Sequence, residues 1–97
     1  MEIKAKFDHY NINVSNLDKS ITFYHKTLGL KEDHRLNSND GSFTIVYLTD
    51  GATPFLLELT ALKEHPQAYE LGENETHLCL RVANDYDETR AYHRELG

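Results

Sequence analysis

Residues 9–29 read HYNINVSNLDKSITFYHKTLG and residues 77–97 read HLCLRVANDYDETRAYHRELG; the two stretches overlay without a gap at an offset of 68 residues. Seven of the 21 pairs are identical, namely His9/His77, Val14/Val82, Asn16/Asn84, Tyr24/Tyr92, His25/His93, Leu28/Leu96 and Gly29/Gly97, and Lys26/Arg94 keeps the charge. Self-similarity at a fixed period marks a duplicated supersecondary unit. The sequence therefore predicts one complete module followed by the opening strand and helix of a second.

Periodicity gives the content of the module. In 7–14, Tyr10, Ile12 and Val14 alternate with His9, Asn11 and Asn13, the pattern of a strand with one apolar and one wet face. Ser15 or Asn16 can cap the helix that follows, in which Ile21, Phe23 or Tyr24 and Leu28 recur at helical spacing, and Gly29 suits a left-handed C-terminal residue. Three strands are expected next, 31–37, 42–49 and 54–60, joined by the turn formers Asn39-Asp40-Gly41 and Asp50-Gly51. The order is βαβββ. The second copy restarts with a strand over 76–83, where Leu78, Leu80 and Val82 alternate with His77, Cys79 and Arg81, and Asn84 caps a last helix reaching Leu96. The expected class is α+β, with a first module at 1–62, a polar linker at 63–75 and a partial, truncated second module at 76–97.

Composition excludes several functions. A chain of 97 residues buries about 60% of its unfolded surface, enough for one core. One cysteine rules out an internal disulfide framework, and no apolar run approaches the ~20 residues of a membrane helix. The first residues, MEIKAKFDHY, hold no secretory h-region, so a cytoplasmic location is expected. A net charge of -6 argues against a nucleic-acid partner, which requires a basic face.

The chemistry is expected on the polar faces of the two matching strands. Either histidine alone reads as an ordinary half-buried, hydrogen-bonded side chain, but His9 and His77 share one phase of one repeat. Glu58 interrupts the apolar run Phe55-Leu56-Leu57-Glu58-Leu59. In a central strand such a carboxylate must be paired or bind a cation, because burying an isolated charge is costly; in an edge strand it would face solvent with Leu56 and Thr60. Two neutral imidazoles and a carboxylate suit a first-row divalent ion. The counterpart of Glu58 in the second copy would lie beyond residue 97, so the repeat register predicts a longer parent protein. It also predicts that the short form self-associates through the unpaired strand 76–83.

Three stretches carry a family likeness: FDHYNINVSNLDKSITFYHKTLGL at 7–30, FLLELT around Glu58 and YELGENETHLCLRV around His77. On these the chain resembles the glyoxalase I (lactoylglutathione lyase) family of the vicinal oxygen chelate superfamily, over almost its full length. The resemblance implies paired βαβββ modules forming a cup that holds a divalent metal, with His9, Glu58 and His77 as ligands and a fourth ligand without a counterpart here. It implies a homodimer with a shared site, nickel or cobalt ahead of zinc, and Glu58 as the only local candidate for the catalytic base. The implied reaction is isomerisation of the hemithioacetal of methylglyoxal and a low-molecular-weight thiol to an S-lactoyl thioester. Glutathione-using members often have Arg where Asn13 stands and Asn where Leu62 stands, which points to another small thiol.

Other polar residues read as solvated surface, among them His25, His93, His34, His65 and the acids around Glu73 and Glu75. Cys79 reads as a small wall residue, and Arg81 as a salt-bridge partner or a contact for a substrate carboxylate. Two alternatives keep the fold and change the function. A methylmalonyl-CoA epimerase-like enzyme usually has Gln where Glu58 stands, and a metal-free small-molecule or drug-binding protein usually lacks the ligands.

Overall fold

The computed structural model describes all 97 residues. Its elements follow the order β1 (His9–Asn13), α1 (Leu17–Leu28), β2 (Lys31–Asn37), β3 (Phe43–Thr49), β4 (Leu56–Leu62) and α2 (Tyr86–Leu96). The first five form the expected βαβββ module. Its four strands make one mixed sheet in the order β1-β4-β3-β2, with β1 parallel to β4 and the other neighbours antiparallel.

Local sequence accounts for the helix. The Asn16 side chain accepts from the Lys19 N–H at 3.1 Å and so satisfies one of the first-turn donors. At the other end Gly29 adopts φ 70°, and its N–H reaches His25 O at 2.9 Å, closing a left-handed cap that a β-carbon would strain. Between the caps Leu17, Ile21, Tyr24 and Leu28 lie on the face that packs on the sheet.

Alternation in the strands decides which side chains that helix covers. Val46, Leu48, Leu57 and Leu59 are buried beneath it with Leu30, and Ile12 and Val14 pack alongside. Burying each such side chain is favourable by about 1.5–3 kcal/mol. The alternate residues, His9, Asn11 and Asn13 of β1, Leu56, Glu58 and Thr60 of β4, and Phe43, Ile45 and Tyr47 of β3, therefore share the opposite face, which neither helix covers. In β2 the register slips between Glu32 and His34, a one-residue bulge at Asp33 that sets His34 opposite Tyr47.

The second copy departs from the expectation. Its helix forms, capped by Asp85, which accepts from the Glu88 N–H at 3.1 Å, rather than by Asn84. The stretch 76–83 is not a strand: it joins no ladder, and Leu78, Leu80 and Val82 are exposed. Alternating residues fit a pleated surface but do not supply one, and here neither free edge of the sheet takes this stretch up. The first strand is also shorter than expected, since Phe7 is solvent-exposed and pairing begins at His9.

Two stability measurements check this account. Gly29→Ala meets no neighbouring atom and is expected to cost about 1–2 kcal/mol through backbone strain alone, whereas Leu59→Ala, at a fully buried position, is expected to cost about 2–5 kcal/mol. Urea unfolding of both variants against the parent chain reads the difference.

Candidate functional site

On the uncovered face His9 and Glu58 meet. The two come from neighbouring parallel strands in which Asn11 stands opposite Glu58, so His9 is one same-face step away. His9 Nε2 lies 3.0 Å from Glu58 Oε2. Glu58 is in a central strand, and its side chain is only 12% exposed, whereas that of His9 is 41% exposed. The edge-strand alternative for Glu58 therefore does not hold.

Each partner is fixed from behind. His9 Nδ1 is 2.7 Å from Asp8 Oδ2, so the ring is held between two carboxylates. The Thr60 hydroxyl lies 2.7 Å from Asn11 Oδ1 and 3.2 Å from Glu58 Oε1, and the Asn11 amide donates to Asn13 Oδ1 at 2.9 Å. A chain of small polar groups thus runs along the face and ends on Glu58. Tyr47, directly opposite Glu58 on β3, meets the His9 ring edge-to-face at 5.9 Å and 89° and stacks on His34 at 4.4 Å and 13°.

The electrostatics follow from these contacts. Hydrogen bonding to Asp8 raises the His9 pKa above its ordinary 6.5; the charges of Glu58 and Asp8 add to the rise, and partial burial works against it. Partial burial first, and the charge of Glu58 second, raise the Tyr47 hydroxyl above the usual phenol value, so it stays neutral.

The pair has the donors a divalent cation needs. Metal bonds to imidazole and carboxylate are about 2.0–2.2 Å, and donor atoms 3.0 Å apart match two adjacent ligands of one ion. The Asp8 carboxylate on Nδ1 is the outer partner that commonly orients a ligating imidazole. His77 is exposed on the unpaired stretch, and no group of three metal-binding side chains assembles within one chain. Cys79 and Arg81 are likewise exposed there.

Sequence reading missed Asp8, Tyr47 and His34. The dipeptides Asp8-His9 and Asp33-His34 were an available signal, because each aspartate holds the ring that follows it, at 2.7 and 2.6 Å. His34 is thus not merely solvated surface. Nor are His25 and His93: His25 Nδ1 lies 3.0 Å from Leu30 O, and His93 Nε2 lies 2.6 Å from Thr27 O, tying α2 to the last turn of α1.

The comparisons with known proteins bear on the family and the fold. Residues 6–97 match the model of the Glyoxalase/Bleomycin resistance protein/Dioxygenase superfamily. The chain belongs to that superfamily. Lactoylglutathione lyases of Neisseria meningitidis serogroups A and B are each 31% identical to it over 91 residues, 92% of this chain. The chain spans 65% of the length of these curated relatives. Among solved members of the superfamily, the trypanothione-dependent glyoxalase I of Leishmania major superposes with a TM-score of 0.81 at 28% identity, over 96% of this chain and 67% of that one. Methylmalonyl-CoA epimerase of Mycobacterium tuberculosis gives a TM-score of 0.52 at 26% identity, over 62% of this chain and 43% of that one. No helix of the chain is long and apolar enough to cross a membrane.

In the metal-free protein His9 is expected to titrate above 6.5, with Asp8→Asn lowering its value most and Glu58→Gln lowering it less. Because the folded-state value is the raised one, the two contacts stabilise the fold fully below pH 6.5, and that contribution is lost as the pH rises through the folded-state value. Ring-nitrogen NMR titrations of the parent and both variants measure this; a His9 that titrates at or below 6.5 contradicts the geometry.

Proposed function

We propose that this chain carries the first module of a metal-dependent isomerase that converts the hemithioacetal of methylglyoxal and a small thiol into the S-lactoyl thioester. One observation supports it above the others: an imidazole nitrogen and a largely sheltered carboxylate oxygen 3.0 Å apart on the open face of a βαβββ sheet. The kinship with lactoylglutathione lyases supports the reaction class.

His9 and Glu58 would hold the cation, with His77 as a third ligand brought in by assembly of two copies into a homodimer with a shared site. When bound, a divalent ion, nickel or cobalt ahead of zinc, supplies Lewis-acid stabilisation of charge on two adjacent oxygens. Glu58 acts as the base. It takes the proton from the carbon bearing the hydroxyl and the sulfur, the bonding pair moves between the two carbons, and the proton returns to the neighbouring carbon. The hydroxyl proton is lost as its oxygen becomes the thioester carbonyl, and the former ketone oxygen, which takes up the carbonyl electron pair, gains a proton to become the product hydroxyl, so the net change is an isomerisation with no external oxidant.

The other residues of the face position the substrate. Asp8 keeps the His9 ring in place, and its hydrogen bond to Nδ1 leaves Nε2 as the donor atom toward Glu58. Phe43, Ile45 and Leu56 offer apolar surface to the methyl group and the thiol's carbon chain. Asn13 and Leu62 put no cation beside the pair, which favours a small thiol other than glutathione.

Elemental analysis of the purified protein, with an isomerase assay across several thiols, tests the proposal. Glu58→Gln is expected to reduce the isomerase rate by about 10²–10⁴-fold and to lower metal content. Unchanged metal content and rate in that variant would count against Glu58, and a metal-free, inactive parent that still binds apolar ligands would favour a binding protein of the same fold.

A further inference from the structure

Tyr47 is the one aromatic side chain that meets both the donor pair and a second buttressed imidazole. It stands on the uncovered face, apart from the buried cluster of Leu30, Val46, Leu48, Leu57 and Leu59, so packing of the core does not explain it. Residues directly opposite on antiparallel strands have β-carbons about 4.5–5.5 Å apart, and the Tyr47 ring therefore flanks the Glu58 carboxylate. His9 approaches the same ring from the β1 side at 89°, and His34 lies nearly parallel to it from the β2 side.

We infer that Tyr47 is a positioning residue for the His9–Glu58 pair and that His34, held by Asp33, backs it. Three constraints on His9 make the case. Asp8 fixes one nitrogen at 2.7 Å, and Glu58 meets the other at 3.0 Å. The Asp8 side chain is itself largely exposed and can follow the ring, so these two contacts still leave the imidazole rotation about its Cα–Cβ and Cβ–Cγ bonds. The edge-to-face contact with Tyr47 restricts that rotation, because aromatic pairs favour this geometry over other tilts. Tyr47 in turn would rock on an open face without a neighbour. The His34 ring supplies one at 4.4 Å, and His34 is itself held by the Asp33 carboxylate at 2.6 Å. The array thus draws on all four strands, and its rigidity is directed at the donor pair.

The inference rests on the reading of His9 and Glu58 as cation donors, but it has a readout that does not depend on the cation. Four variants of the 97-residue chain are compared with the parent: Tyr47→Phe, Tyr47→Leu, His34→Phe and His34→Ala. The first readout is the downfield ring N–H resonances of His9 in the metal-free protein at a fixed, mildly acidic pH. The second is titration with cobalt(II) alone, followed by its visible absorption. Tyr47→Leu is expected to broaden or lose the His9 resonances and to weaken cobalt binding about 10–100-fold, the usual effect of removing an orienting partner. Tyr47→Phe keeps the ring and is expected to preserve both signals. His34→Ala is expected to weaken cobalt binding about two- to tenfold, as loss of one aromatic pair would, and His34→Phe to restore it. Urea midpoints close to the parent's separate positioning from unfolding. The inference is overturned if Tyr47→Leu leaves the His9 resonances sharp, or if Tyr47→Phe is as damaging as Tyr47→Leu. If the parent binds no cobalt while the resonances respond as expected, the cation reading fails and the positioning role stands.

Discussion

The approach of His9 to Glu58 depends on β1 and β4 lying side by side and parallel, with Asn11 opposite Glu58. Parallel neighbours cannot be joined by a tight turn, so the intervening chain has to travel out through α1, β2 and β3 before β4 returns to the start. Burial fixes the register. Leu57 and Leu59 lie under the helix, and alternation then sends Glu58 to the other face. A slip of one residue would place the carboxylate in the core and a leucine beside His9. The apolar core therefore sets the geometry of the polar pair without touching it.

Much of this was readable in the chain itself. Alternation, caps and turn residues placed every element of the first module to within two residues. Glu58 stood out because a carboxylate inside Phe55-Leu56-Leu57-Glu58-Leu59 needs a reason. What local spacing does not contain is which residues from separate strands end up in contact. Tyr47 became a neighbour of Glu58 only through pairing of β3 with β4, and His34 became a neighbour of Tyr47 only through the bulge. The stretch 76–83 failed for a related reason: its pattern describes half of a ladder, and neither edge strand of this sheet pairs with it. The two helical histidines found acceptors in backbone carbonyls near the end of α1, groups that a side-chain pattern does not display.

The pair also sets a competition. With no cation present, a proton on His9 can satisfy both Asp8 and Glu58 at once, and that is why the imidazole holds it above the ordinary range. A divalent ion needs the same Nε2 as a lone pair. Proton and metal are thus alternatives at one atom, and the contacts that order the ring for one also order it for the other.

The bulge in β2 changes which side chains reach the open face. Strand residues normally turn over in strict alternation, and if the same sequence ran in an unbroken ladder, Asp33 would face Tyr47 while His34 faced the helix side. One additional amino acid thus acts as a half-turn shim: it reverses the facing of everything after it in the strand, and brings Leu36 to the open side together with His34. The make-up of that wall of the sheet is therefore set by a count of residues as much as by their kinds: removal of Asp33 would close the bulge with His34 still opposite Tyr47, but without the carboxylate that holds its ring.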